Sequence, residues 1–357
     1  MTDASRKPDE DDGPPRQALL EMAQGFFRGK ALCAAVRLGI ADALADRSMD
    51  VAELAQAIAA DRRALYRLMR ALAVMGVVDE NAPGRFALTR LGQPLRRDAP
   101  DSVWASMVFW PDLLADAWTY LPECVRAGDR SGADAARERQ ATRSRWSVEP
   151  DATAIFHAVF AEPDADDFAP IVRAWDFAGR RVVADLGGGG GGLLAALLTA
   201  LPAARGILFD RQAALDGAAK RFAASGLTPR CELVVGDLLE AAPAGADVYL
   251  MKSVLHGYDD EPARQILENV RRVLTADSRL LLVEVVLPDR VDRSDPGAEK
   301  RIMSDVNMLL VTGGGERSER EWRALLHSAG LELRTILPVA GRHFSILETA
   351  RPEQPAA

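Results

Sequence analysis

A β-branched run, Val182-Val183-Ala184-Asp185-Leu186, ends in six consecutive glycines, Gly187 to Gly192, and passes directly into Leu193-Leu194-Ala195-Ala196-Leu197-Leu198. Strand, tight turn and helix in that order make the opening βα unit of a doubly wound nucleotide-binding sheet. Glycine suits the turn because the backbone bends sharply there and a ligand lies against it, where a Cβ would collide. Six glycines satisfy several Gly-x-Gly-x-x-Gly spacings by composition alone. The flanking strand and helix therefore carry the argument against a merely flexible loop.

Charge narrows the ligand. A dinucleotide sets its pyrophosphate on this turn, and a carboxylate beside it would repel. Asp185 stands at the strand end immediately before the glycines. S-adenosylmethionine carries an ammonium and a sulfonium on an adenosine and suits an acidic strand end, whereas NAD suits it less.

The whole chain has room for two domains at 357 residues. No apolar run is long enough to span a bilayer, and the charged, proline-containing first 16 residues do not read as a secretory signal. Cys33, Cys124 and Cys231 form neither a disulfide framework nor a metal spacing, which points to a reducing, cytoplasmic setting. A net charge of −8 argues against a nucleic-acid partner for the chain as a whole.

Residues 1–15 are polar and acidic and read as a disordered tail. Between Gln17 and Ala45, Leu20, Phe27, Leu32, Val36, Ile40 and Leu44 recur at helical spacing and predict two or three helices. A short helix over Ser48–Ile58 follows, then Asp61 as the cap of a helix over RRALYRLMRALAVMG, then a hairpin with a Pro-Gly turn. Helix, helix, hairpin is a winged-helix arrangement, assigned to residues 16–100. Arg62, Arg63, Arg67 and Arg70 would suit DNA, but Glu53 and Asp61 lie close by and no lysine-rich stripe accompanies them. A scaffold for dimerisation fits better. Residues 101–165 form a helical linker expected to cover an acceptor pocket. Its WASMVFWPDLLADAWTYL reads as a helix over something hydrophobic. Trp104, Phe109, Trp110 and Trp118 are first of all core candidates, with Trp110 the one assigned to the acceptor. The polar, arginine-rich stretch after Gly128 has no assigned role.

Residues 166–351 are expected to hold the cofactor domain, and 352–357 a tail. Strands are expected at Arg181–Leu186, Gly206–Asp210, Cys231–Gly236, Asp247–Leu255 and Leu280–Leu287, with helices between most of them. A closing pair joined by Ala-Gly would add antiparallel strands at one edge. Ligands of open α/β sheets bind at the carboxyl ends of the strands. Those ends carry Asp185 with Gly187 and Gly189, Asp210, Gly236 with Asp237 and Leu238, His256, and Glu284. Asp210 lies 23 residues beyond Gly187, about the offset at which a carboxylate holds ribose hydroxyls. Asp237 can accept from an adenine amino group while Leu238 packs on the ring. His256 follows a strand, and a neutral imidazole with a pKa near ~6.5 can take a proton from a bound hydroxyl. A carboxylate on its far nitrogen would fix the tautomer, and Glu284 and Glu316 are the candidates.

VVADLGGGGGGL, GDLL, LMKSVLHGYDDEPARQIL, VEVVLP, MSDVNMLLVTGGGER and the winged helix together resemble the S-adenosylmethionine-dependent O-methyltransferases, the plant caffeate-type enzymes and their bacterial relatives acting on polyketides and phenazines. The resemblance spans residues 17 to 350. It implies an α/β, Rossmann-like methyltransferase sheet with an antiparallel C-terminal hairpin, a winged-helix dimerisation domain, and a homodimer with no membrane partner. It further implies methyl transfer to a hydroxyl of an aromatic small molecule without a metal. By the same resemblance His256 is the base, with Glu284 and Glu316 orienting it. Gly187, Asp210, Asp237, Leu238, Lys252 and Ser253 line the cofactor site. Phe156, Phe160, Met303, Asn307 and Met308 face the acceptor.

Two departures fall on the acceptor side. The family's His-Asp-Trp is His256-Gly257-Tyr258 here, and residues 128–145 are more polar than the family pattern. Some relatives use the cofactor for decarboxylation, hydroxylation or pericyclic steps instead. A non-methylating activity and a ligand-sensing DNA-binding regulator therefore remain the alternatives.

Overall fold

The chain divides into two compact units, seen in a computed structural model that describes residues 15–128, 131, 151, 152, 155, 158, 159 and 165–352. The first unit takes the described residues up to Thr119 and those between 137 and 160, and the second takes the rest. The expected tail up to residue 14, the polar stretch over 132–145 and most of the ATAIFHAVFA helix lie outside the described residues.

The first unit opens with helices Pro15–Gln24, Phe26–Arg37 and Ile40–Ala43. Helix Val51–Ala57 is capped by Asp50, whose carboxylate accepts from the Ala52 N–H, and helix Arg62–Val74 by Asp61, which accepts from the Ala64 N–H. Such caps satisfy amides that have no partner within the helix. The hairpin is β2 (Val78–Ala82) and β3 (Arg85–Leu88). The stretch read as one helix from Ser48 instead begins with a two-residue strand, β1 (Met49–Asp50), paired with Phe86 and Arg85 of β3. Asp50 cannot be both inside a helix and its extended cap, and the cap wins.

The aromatic segment after Val103 is likewise not one helix. It runs as Trp104–Val108, a π-helical turn Phe109–Leu113, Ala115–Trp118 and, in the second unit, Leu121–Ala127. Pro111, which has no N–H to continue the ladder, sits within the wide turn. Its ring lies where a Cβ on Gly29 would stand 3.1 Å away. Phe26 and Phe27, 61% and 58% exposed, leave an apolar face on this unit with Leu19, Leu20 and Met22.

The second unit is a seven-stranded sheet in the order β11-β12-β8-β7-β4-β5-β6. Its strands are β4 (Val182–Leu186), β5 (Arg205–Asp210), β6 (Cys231–Val235), β7 (Val248–Lys252), β8 (Arg279–Glu284), β11 (Glu332–Pro338) and β12 (Ser345–Ala350). Strands β4 to β8 are parallel, and β12 and β11 add the antiparallel edge. Alternation decides which core each residue joins: Val183 packs with Phe168, Ile171 and Leu194, whereas Ala184 and Leu186 pack on the other face with Ile266, Leu267 and Trp322. Burial on both faces explains why these strands read as continuous apolar runs. Strand β7 ends at Lys252 rather than Leu255, and the expected fifth strand is cut at Glu284, with β9 (Val286–Leu287) continuing in a separate pairing to β10 (Arg317–Ser318). No helix among the described residues is long and apolar enough to cross a membrane.

Candidate active site

The glycine turn follows β4 at the middle of the sheet. Gly187, Gly189 and Gly191 adopt positive φ of 69°, 56° and 72°. A Cβ on Gly188 would stand 2.5 Å from the Asp185 carboxylate and from Leu208, so the loop must fold directly over that acid. Asp185 is 1% exposed, and neither of its oxygens has an aligned hydrogen-bond partner among the described residues. Burial, and after it the negative charge of Asp210, push its pKa up to about 7. Lys252 and, least, the Leu194 amide pull the other way.

Asp210, at the end of β5, fastens the loop: its Oδ2 accepts from the Gly189 N–H at 2.8 Å and its Oδ1 from the Arg211 N–H at 2.6 Å. Asp237, beyond Gly236 at the end of β6, accepts from the Leu239 N–H at 2.9 Å and from the Arg211 guanidinium at 2.9 Å. The backbone hydrogen bond, followed by Arg211, holds its carboxyl below the usual range. Leu238 is buried, and its carbonyl accepts from Asn269 Nδ2. Lys252 Nζ lies 5.9 and 5.7 Å from the ring centres of Phe168 and Phe344. Ser253 follows with φ +54°, a strained value for a residue with a Cβ. All nine residues assigned to the cofactor thus cluster at the carboxyl ends of β4 to β7.

His256 sits in a single helical turn just past β7. Its Nδ1 lies 3.3 Å from Glu284 Oε2 and 3.4 Å from Glu316 Oε1, within ion-pair distance of both but aligned with neither as a hydrogen bond. Burial alone would favour the neutral ring, but the charge of Glu284 and the proximity of Glu316 outweigh it and raise the imidazole pKa above its ordinary value. Glu284, 1% exposed, accepts from the Val254 and Leu255 N–H groups at 3.0 and 2.9 Å through Oε1. Its own carboxyl is raised, first by burial and further by Glu316, while His256 and the two amides oppose this. Glu316 Oε1 accepts from Ser304 Oγ at 2.7 Å, and its amide donates to Asp305.

The two acids meet because Arg317 pairs with Val286 and Ser318 with Leu287. Glu284 stands two residues before one strand of that ladder, and Glu316 one residue before the other. Sequence spacing gave no sign of Ser304, Asp305, Asn269 or Arg211, which hold the named residues in place. Only the fold brings them within reach.

Met303, Asn307 and Met308 lie on helix Ala298–Val311. Met303 lines a groove of about 380 Å³ with Val291, Pro296, Ala298 and Ile302, and with the charged Arg293, Asp295 and Glu299. Asn307 Oδ1 is buried without a hydrogen-bond partner among the described residues. Trp110 belongs to the first unit, 46% exposed and edge-on to Phe109 at 4.9 Å. Phe156 and Phe160 lie outside the described residues.

Such a sheet, with acids and a histidine gathered at its strand ends, belongs to the class of nucleotide-cofactor-binding α/β proteins. The family models are more specific: one for the O-methyltransferase domain matches residues 118–332, and one for the O-methyltransferase dimerisation domain matches residues 20–97. The chain belongs to the O-methyltransferase family, and its methyl donor is S-adenosylmethionine. It is 35% identical over 342 residues to the phenazine O-methyltransferase PhzM of Lysobacter antibioticus, covering 95% of this chain and 97% of that one. A crystal structure of LaPhzM superposes with a TM-score of 0.84 at 33% identity, covering 95% and 100% of the two chains. Another, of the O-methyltransferase NcsB1 from neocarzinostatin biosynthesis in complex with S-adenosylmethionine and 2-hydroxy-5-methyl naphthoic acid, gives 0.76 at 30% identity, covering 95% and 99%.

Proposed function

We propose that this enzyme methylates a hydroxyl of an aromatic small molecule, with His256 as general base and no metal in the step. The observation that carries the reading is the imidazole whose Nδ1 faces two buried carboxylates. An N–H held at Nδ1 leaves the Nε2 lone pair free to take a proton. The phenol O–H bond breaks toward Nε2, the oxygen attacks the sulfonium methyl, the C–S bond breaks, and S-adenosylhomocysteine leaves. Glu284 and Glu316 stabilise the imidazolium that forms. Holding oxygen, carbon and sulfur in line supplies much of the rate, and the base adds ~10²–10⁴-fold. The strand-end acids Asp185, Asp210 and Asp237 support the cofactor assignment. Met303, Asn307 and Met308 supply an apolar helix face with one buried amide, which suits a ring bearing polar substituents.

The histidine and the two glutamates also place ligating atoms within 4.8 Å of one another, a donor set that a divalent cation would accept. In the metal-free reading one oxygen of each acid is already engaged, by the Val254 and Leu255 amides and by Ser304. Incubation of methyl-labelled cofactor with a panel of hydroxyphenazines, hydroxynaphthoates and hydroxybenzoates should yield labelled product and S-adenosylhomocysteine, undiminished by a chelator. Binding of the cofactor without its consumption across the panel would favour a non-methylating activity. We propose also that two copies assemble through the exposed Leu19, Leu20, Met22, Phe26 and Phe27, too large an apolar face to leave in water. Sedimentation should give a dimer at micromolar concentration, and a monomer would refute it.

A further inference from the structure

The loop that carries His256 and the loop that carries Glu316 lie backbone against backbone. A Cβ on Gly314 would stand 2.2 Å from the His256 carbonyl oxygen and 2.6 Å from the Tyr258 nitrogen. One side chain fastens the two. Arg317, 6% exposed, sends Nη1 to the Leu255 carbonyl at 3.2 Å and to the Gly315 carbonyl at 3.4 Å. Nη2 reaches the Tyr258 carbonyl at 2.9 Å and Asp260 Oδ1 at 2.8 Å, and Nε reaches the same carboxylate at 3.0 Å. The carbonyls on either side of His256 are thus tied to the residue that follows Glu316. Behind the guanidinium, 5.3 Å from its carbon, is the ring of the fully buried Trp322. The Trp322 indole donates to the Val285 carbonyl at 3.4 Å, one residue past Glu284.

We propose that Arg317 is a positioning residue for methyl transfer: it sets the imidazole of His256 at its place between Glu284 and Glu316. The role rests on the reading of His256 as the base. A planar fork with donors in fixed directions can hold two carbonyls and a carboxylate at once while stacking on an indole, and an ammonium cannot. Arg317→Lys therefore keeps the charge and loses the geometry. The imidazole then drifts from its two carboxylates, and both its proton affinity and its aim at the acceptor change.

The test is a pH titration of histidine side-chain NMR signals in full-length protein saturated with S-adenosylhomocysteine. The chain has only four histidines, and His256→Asn identifies the signal. In Arg317→Lys the His256 midpoint should fall by about half a pH unit or more toward its ordinary value. Turnover per S-adenosylhomocysteine-binding site, on a panel phenol that the wild type methylates, should drop at least ~tenfold while affinity for that ligand stays within about twofold. Asp260→Asn, which removes the charge of one exposed anchor and leaves Arg317 in place, should move both readouts the same way by less. If either variant melts earlier but keeps the wild-type midpoint and per-site turnover, Arg317 only staples the fold and the proposal is wrong. If His256→Asn itself retains turnover, the base reading fails, and positioning by Arg317 then stands or falls on the midpoint alone.

Discussion

Both units bury carboxylates, and they treat them in opposite ways. In the first unit Asp112, 2% exposed, is gripped by Lys30 at 3.1 Å and Arg37 at 2.9 Å, so its charge is compensated within the fold. In the second unit Asp185, Glu284 and Glu316 are as deeply buried, and each retains at least one oxygen with no hydrogen-bond partner among the described residues. Burying a charge with an unsatisfied oxygen is unfavourable, and the charged neighbour of Glu284 and Glu316 is an imidazole, His256 at 3.3 and 3.4 Å, rather than a permanent cation. The paired acid holds a structure together. The others are not fully satisfied by the fold itself, and in the proposed function that leaves Asp185 for a cationic cofactor and the two glutamates for a protonated His256.

The comparison can be broken most directly at the histidine. His256→Ala should lower turnover by ~10²–10⁴-fold at neutral pH with cofactor affinity nearly unchanged, and the loss should shrink as the pH approaches ~10, where a phenol ionises unaided. Near wild-type turnover in steady-state assays would show that the two glutamates serve no base. At Asp185 the expected effect is on stability and runs the unusual way. The unfolded chain's carboxyl gives up its proton near pH 4. The folded one keeps its proton until about 7. Between those values the native state binds the extra proton, so the cofactor-free protein loses stability as pH rises, by up to ~4 kcal/mol in all. Asp185→Asn should remove that slope in denaturant melts, leave the free protein more stable above pH 7, and weaken S-adenosylmethionine binding. Asp112→Ala should do the reverse: ~2 kcal/mol of lost stability from the broken hydrogen-bonded ion pairs to the half-exposed Lys30 and Arg37, with turnover per folded molecule unaltered. The smallest effect is a shift. Glu316→Gln removes a negative charge from beside His256, whose raised pKa depends partly on it. The rising limb of kcat against pH should therefore move to lower pH, and a limb that stays put would detach Glu316 from the base.

What could be read from the residues follows the range of the interactions. The strand-end acids, the glycine turn and the Asp61 cap are local, fixed by neighbours in sequence, and they stand where pattern places them. Asp185 was legible as an acid at a strand end, but its isolation was not, because Asp210 beyond it comes from a different strand and Gly188 folds over it only in the turn. Arg317 looks like any surface arginine in GGGERSEREW. It is buried because β9 and β10 pair at positions 31 residues apart, Val286 with Arg317, and bring Trp322 beneath it. The strand at Met49 and the π-helical turn at Phe109–Leu113 were missed for a related reason: a cap and a proline each override a run that has helical composition.

The two-residue ladder between β9 and β10 has an evolutionary consequence. Everything from Pro288 to Glu316, including the helix with Met303, Asn307 and Met308, is an excursion that leaves this ladder and returns to it at adjacent points. Glu284 is fixed before the excursion and Arg317 after it, so the early part of the excursion can diverge in length and sequence without moving either. Its last part is tied down: Ser304 and Asp305 hold Glu316, and Gly314 lies against the His256 backbone. A segment transplanted from another member of the family, with Ser304, Asp305 and residues 314–316 retained, should therefore leave His256 in place.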